Sequence, residues 1–199
     1  MSTGQNVSAS DKLLLAAIDL MAEKGFNGVT TKEIAAAAGV NEVTLFRNFG
    51  TKQNLLEAAY HRFHYGEDMK KLFGERLAWE LETDLLLISR TYHAIMWRNR
   101  KMLRIGLKES HILSEFREKA RKHPMQLKEL LMSYFSEMAK RGKVAEGNPE
   151  TQALSFMWMN YGAAVSNLHT EEEPMIESMD TFITESVRLF ARALTPGCK

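Results

Sequence analysis

The chain has 199 residues, 45% of them hydrophobic, and a formal net charge of +1. This is enough for one or two globular domains, and the near-neutral charge excludes a strongly basic protein that coats nucleic acid non-specifically. No apolar run is long enough to cross a bilayer, and the first ten residues are not a secretory signal. The single cysteine excludes an intrachain disulfide. We therefore expect a cytoplasmic protein with a disordered leader over residues 1–10.

The first predicted helix covers about residues 11–23, where apolar side chains recur at helical spacing. Thr30 is the predicted N-cap of a short second helix, with Glu33 closing a capping box. Gly39 ends that helix in a left-handed conformation, and Asn41 caps a third helix. Two short helices joined by a tight glycine turn form a helix-turn-helix, whose second helix can enter the DNA major groove. A motif used only for protein packing is the alternative.

The stretch TTKEIAAAAGVNEVTLFRNFGTK, residues 30–52, contains a recognisable pattern. Its residues are Thr31, Ile34, Ala35, Ala38, Gly39, Val40, Thr44, Leu45, Phe46, Phe49, Thr51 and Lys52. This pattern resembles the DNA-binding signature of the TetR family of bacterial transcriptional regulators. The resemblance implies an all-α fold with an N-terminal three-helix DNA-binding domain over residues 11–51. That domain would be continuous with a helical effector-binding and dimerisation domain over residues 52–195.

The resemblance also implies a set of DNA contacts around the second helix of the motif. They are Thr31, Asn41, Glu42, Val43, Thr44, Phe46, Arg47, Asn48 and Lys52. Arg47 suits guanine O6 and N7, Thr44 suits a thymine methyl, and Glu42 suits cytosine N4. Lys52, near a helix N-terminus, is the predicted phosphate anchor. For Glu42 the alternative is a first-turn carboxylate that only stabilises its own helix.

Beyond the motif, apolar spacing predicts helices throughout, and β-branched runs are scarce. The predicted ranges are about 52–72, 75–97, 102–107, 114–122, 125–141, 150–168 and 175–194. Pro124 is expected to restart or kink its helix.

The last two predicted helices are apolar on more than one face, so each needs two partners. The resemblance implies that they pair with a second copy into a four-helix bundle. The predicted interface residues are Leu154, Tyr161, Val165, Leu168, Ile176, Met179, Ile183, Val187 and Phe190. The alternative is that both helices only close the core of one chain. A two-fold dimer would read a palindromic operator.

A pocket for a small effector is also implied by the resemblance. Its candidate lining residues are Trp79, Tyr92, Met96, Trp97, Leu103, Phe135, Met157 and Trp158. The alternative for each is ordinary core, because aromatic and methionine side chains at helical spacing are typical of a core.

Two clusters of polar side chains are further candidates for binding. The basic run Arg98, Arg100, Lys101 and Arg104 is predicted to be a solvated or salt-bridged face, with an acidic ligand as the alternative. His61, His64 and Asp68 share a helix face, but an isolated pair of histidines is a poor metal site. We expect no metal and no cofactor.

These patterns predict a homodimeric repressor that leaves a palindromic operator when a small hydrophobic or amphipathic effector binds. The alternatives are a ligand-responsive activator and a helix-turn-helix protein that acts through a protein partner. The sequence contains no Gly-rich phosphate loop and no nucleophile motif, so an enzyme is not expected.

Overall fold

The computed structural model describes residues 8–62, 65–108, 114–168 and 175–197, and only the backbone of residues 114–122. Within these ranges the chain forms helices and no strand, which confirms the all-α prediction. No helix there is both long and apolar enough to cross a membrane. The helices are α1 (Ala9–Lys24), α2 (Thr31–Ala37), α3 (Glu42–Phe49), α4 (Lys52–Arg62), α5 (Gly66–Glu75), α6 (Leu81–Arg98), α7 (Arg100–Lys108), α8 (Ser114–Lys140), α9 (Pro149–Ser166) and α10 (Met179–Leu194).

Met1–His64 and Asn99–Glu118 form one compact unit, called unit 1. In it, α1 packs against α2, α3, α4 and α7. The buried apolar side chains are Leu13, Leu14, Ala17, Ile18, Met21, Val29, Ile34, Ala35, Ala38, Leu45, Leu55, Leu56, Ala59, Met102 and Ile105. The predicted domain boundary at residue 52 leaves out α4 and α7. A three-helix unit is too small to bury a sufficient core, and these two helices complete it.

A side-chain capping box fixes where α2 begins, and glycines in a left-handed conformation fix where α2 and α3 end. The Thr30 hydroxyl accepts the Glu33 N–H at 3.1 Å, and the Glu33 carboxylate accepts the Thr30 N–H at 2.8 Å. The predicted capping box is therefore confirmed. The Thr30 N–H and hydroxyl, followed by the Lys24 ammonium, lower the pKa of Glu33 to about 2. Gly39 and Gly50 have φ of +67° and +74°, the left-handed conformation that favours glycine.

Tyr65–Arg98 and Lys119–Lys199 form the second compact unit, called unit 2. Its central helix, α6, packs against α5, α9 and α10. The rings of Phe135, Phe156 and Phe190 join α8, α9 and α10, with centroid separations of 6.5, 6.1 and 5.4 Å. Aromatic rings at such separations stabilise a core beyond the area that they bury.

A buried carboxylate organises the entry to α6. Asp84 is 0% exposed and accepts the Ala78 N–H at 2.7 Å and the Tyr134 hydroxyl at 3.1 Å. Trp79, with φ of +59°, stacks on Tyr134 at 5.9 Å and lies 4.0 Å from the Arg141 guanidinium. These contacts keep the segment out of a helix, which is why α6 begins later than predicted.

Other helix boundaries also differ from the predictions, and α10 begins at Met179 where about residue 175 was predicted. The single helix predicted over about 52–72 is two helices, since α4 ends at Arg62 and α5 begins at Gly66. Helix α8 continues through Pro124, because a proline removes one backbone hydrogen bond and the rest of the ladder remains. Helix α1 begins at Ala9 after the N-cap Ser8, so the predicted leader is too long. Residues 1–7 lie outside the described ranges.

Candidate nucleic-acid interface

Helix α3 has one face against the core of unit 1 and one face in solvent. Leu45 is 0% exposed and anchors the inner face, and Thr44 is half-buried beside it. On the other side Val43 is 71% exposed, Phe46 is 48% exposed, and Arg47 is exposed. Positions i, i+3 and i+4 lie on one helix face. Val43, Phe46 and Arg47 therefore form a single surface, the outward face of α3.

The polar residues that flank this face make hydrogen bonds within the chain. The Thr31 hydroxyl donates to the Glu42 carboxylate at 2.6 Å and so joins α2 to α3. Asn41 caps α3 by accepting the N–H two residues ahead at 2.9 Å. The Asn48 amide donates to the carbonyl of Thr44 at 2.7 Å. The first bond restricts how α3 is placed on α2, whereas the other two lie within α3 and its N-cap.

Lys52 has a structural role that the sequence pattern did not reveal. Its ammonium donates to the carbonyl oxygens of Phe26 and Val29 at 2.8 and 2.7 Å, and it lies 4.4 Å from the centre of the Phe26 ring. An ammonium has three hydrogens, so one remains for another acceptor. Lys52 ties the α1–α2 loop to the start of α4, which places it beside the motif rather than on the outward face of α3.

The predicted pocket residues are divided between the two units and between core and surface. Trp97 and Trp158 are 61% and 62% exposed, so neither lies in the interior, and this part of the prediction is corrected. Trp79 packs on Tyr134, and Phe135 belongs to the phenylalanine cluster of unit 2. Leu103 lies in α7 of unit 1. Whether a side chain is buried depends on which face of its helix is directed toward the core, and the presence of aromatic residues in a helix does not reveal that face. Of the remaining candidates, Tyr92 and Met96 are each 5% exposed and Met157 is half-buried.

The predicted dimer residues separate into two groups. Ile183, Val187 and Leu168 are at most 4% exposed within the chain, so their assignment to an interface is corrected. Ile183 and Val187 face inward because α10 packs against α6, and Leu168 is buried just after α9. Phe190 is half-buried against the rings of the phenylalanine cluster. The half-buried group is Leu154, Tyr161, Val165, Ile176 and Met179.

Exposed apolar side chains do occur on both α9 and α10. On α9, Trp158 is 62% exposed and stacks edge-on with the predicted interface residue Tyr161 at 5.6 Å, with half-buried Leu154 one turn before it. On α10, Leu189 is 67% exposed. Leu189 was not predicted as an interface residue because it lies on the opposite side of α10 from the apolar stripe that contains Val187. That opposite position is the sequence feature that could have indicated it.

The two further clusters have simple structural explanations. Arg98 pairs with Asp68 at 2.9 Å and Lys101 pairs with Asp19 at 2.7 Å, as expected for a salt-bridged face. In the part of the chain that the structure describes, no group of histidine, cysteine and acidic residues is suited to a metal. His64 of the predicted metal set lies outside that part.

Comparison with known proteins places this geometry in a family. Residues 13–59 match the model for bacterial regulatory proteins of the tetR family. Over 186 residues the chain is 28% identical to the HTH-type transcriptional regulator YvkB of Bacillus subtilis, with 92% of this chain and 96% of YvkB covered. The fold resembles NalD of Pseudomonas aeruginosa, with TM-score 0.70 and 19% identity over 96% and 97% of the two chains. It also resembles AibR, with TM-score 0.66 and 21% identity over 95% and 99%.

The matched residues run from α1 into α4 and include the capping box, the left-handed Gly39 and the outward face of α3. The similarity to YvkB extends over nearly the whole chain. Residues 13–59 therefore form a DNA-binding domain of the tetR type, and over nearly its whole length the chain is similar to a helix-turn-helix transcriptional regulator.

Proposed function

We propose that this regulator is a repressor that binds a palindromic operator as a homodimer and is released by a small hydrophobic or amphipathic effector. The observation that carries the DNA-binding step is the outward face of α3. Val43, Phe46 and Arg47 project from a helix whose other side is anchored by Leu45. A helix presented in this way fits the major groove, where side chains at one face reach base edges. The proposed action is binding without catalysis, and its proposed location is the cytoplasm, where the operator is found.

The exposed apolar surface of α9 and α10 supports the homodimer. Trp158 on α9 and Leu189 on α10 are more than half exposed, and Trp158 has Tyr161 beside it. Large apolar side chains grouped on a surface are typical of a protein interface. A two-fold dimer presents the same patch twice and places two α3 helices on one face of DNA, which is why a palindromic site is proposed.

Control by an effector is supported by two of the related structures. NalD is the secondary repressor of the MexAB-OprM multidrug efflux pump, and AibR was solved with isovaleryl coenzyme A and operator DNA. In the present chain, Tyr92 and Met96 are buried apolar side chains of unit 2 at the positions proposed to contact an effector. Release requires that the effector bind the DNA-incompetent arrangement more tightly, by the same factor by which it weakens DNA binding.

The test is selection of bound duplexes from a random DNA library, followed by a salt titration on the enriched site. Recovery of a palindrome, bound by two chains with a steep salt dependence, is expected. Repeating the selection with protein that has been denatured and refolded removes any bound effector. Failure to enrich any site with both preparations would overturn the proposal and favour a regulator that acts through a protein partner.

A further inference from the structure

The outward face of α3 is unusually apolar for a DNA-reading surface. Val43 is 71% exposed and Phe46 is 48% exposed, and they are three residues apart on one helix face. Arg47 follows Val43 by one turn and supplies the positive charge of the same face. Two side chains are too few for a protein interface, which buries about 800 Å² on each partner. Duplex DNA, a polyanion with small apolar groups in its major groove, better fits two apolar side chains beside a cation.

The polar side chains around Val43 are already engaged inside the protein. Glu42 accepts the Thr31 hydroxyl, Asn41 caps α3, and the Asn48 amide donates to a backbone carbonyl. Thr44, the residue first expected to meet a thymine methyl, is half-buried. Val43 is therefore the most exposed apolar side chain on this face of α3.

In the major groove of DNA the apolar group on a base edge is the C5-methyl of thymine. On this basis, and resting on the proposed operator binding, we propose that Val43 determines specificity by packing against a thymine methyl in each half-site, with Phe46 beside it. The ligand class is thus duplex DNA with an A·T pair opposite Val43. A guanine opposite Arg47 lies close by, because Arg47 is one helical turn from Val43.

The experiment uses the selected operator and replaces each half-site thymine in turn by uracil, which keeps the base pairing and lacks the methyl. Wild-type protein should lose affinity at one position, by about fourfold for one half-site, the value of one buried methyl-sized group. Placing 5-methylcytosine opposite guanine at that position should bind more tightly than unmodified cytosine. This pair of duplexes differs in the methyl alone.

Val43→Ala should bind the thymine and uracil duplexes equally, and Val43→Thr, which keeps one methyl, should retain part of the difference. Because Val43 is exposed, both variants should fold, which their thermal unfolding checks. If wild-type protein binds every uracil duplex as tightly as the thymine duplex, the inference fails while operator binding stands. If the difference survives in Val43→Ala and is lost in Phe46→Ala, the assignment to Val43 is overturned. If no duplex is bound, both the proposed function and this inference fail.

Discussion

The hydroxyl of Thr31 donates a 2.6 Å hydrogen bond to the carboxylate of Glu42 and so connects the start of α2 to the start of α3. A donor to a carboxylate forms a shorter and stronger bond than a neutral pair. Glu42, which was predicted to contact cytosine N4 or to stabilise its own helix, is thereby held by its neighbour. The bond restrains the angle between the two helices on which base reading depends.

Thr31→Val and Glu42→Gln should therefore not act independently. Each single variant is expected to lower the free energy of unfolding by about 1 kcal/mol, because the pair is only partly buried. The double variant should lose less than the sum of the two, which a double-mutant cycle in urea measures. Losses that simply add would show that the bond contributes nothing.

Lys52 and Arg47 are a matched pair of cations with different roles. Lys52→Met removes two hydrogen bonds to the Phe26 and Val29 carbonyls and should cost about 1–3 kcal/mol of stability. Arg47→Ala, on the exposed face, should leave stability within about 0.5 kcal/mol and weaken operator binding by about 1–3 kcal/mol. Thermal unfolding and DNA titration separate the two. Unchanged stability in Lys52→Met, together with lost DNA binding, would restore the phosphate-anchor interpretation.

The carboxylate of Asp84 should be the most sensitive polar group of unit 2. Asp84→Leu leaves the Ala78 N–H and the Tyr134 hydroxyl buried without an acceptor, which should cost about 2–4 kcal/mol. Tyr134→Phe removes the hydroxyl donor itself and leaves no buried donor without an acceptor, so the loss of unfolding free energy should be smaller. Burial and the nearby Asp84 raise the pKa of Tyr134 above its ordinary value. Equal destabilisation by both variants in denaturant unfolding would contradict this account.

His93 should make stability depend on pH near neutrality. It is 8% exposed, and burial lowers its pKa below 6.5, against the opposing effect of a hydrogen bond with Asn160. The unfolded chain therefore binds the proton first as the pH falls. The contribution of neutral His93 to the free energy of unfolding is fully present above about pH 6.5. It is lost as the pH falls toward the folded-state pKa, at no more than about 1.4 kcal/mol per pH unit.

The reference for this prediction is the wild-type protein. His93→Gln should reduce the slope of unfolding free energy against pH between about 7 and 5 relative to wild type, because a buried histidine loses hydration on folding. Urea unfolding at a series of pH values gives both slopes. An unchanged slope in His93→Gln would contradict the assignment.

Leu189 and Val187 distinguish the surface of α10 from its core. Leu189→Arg, at a position 67% exposed, should break the proposed dimer and leave a folded monomer. Val187→Arg, at a position 0% exposed, should unfold the chain, because it buries an unpaired charge. Light scattering and circular dichroism measure the two effects. A Leu189→Arg protein that remains dimeric would move the interface elsewhere.

The DNA-binding motif was predictable because its signals are local. Thr30 and Glu33 form a capping box three residues apart, and Gly39 ends α2 through its own φ. Such features depend on backbone sterics and on hydrogen bonds to near neighbours, which sequence spacing encodes directly. Helical periodicity likewise indicated the all-α fold.

Which face of each helix is buried was decided only by tertiary packing. Val187 and Leu189 are both apolar and two residues apart, yet one faces α6 and the other faces solvent. Trp158 was predicted to line a pocket and lies on the surface, while Lys52, predicted to anchor a phosphate, also ties the α1–α2 loop to α4. Local signals in the sequence determined the helical class and the caps of the DNA-binding motif. Which face of a helix is buried depends on packing against helices distant in the chain, and a local sequence pattern does not record those contacts.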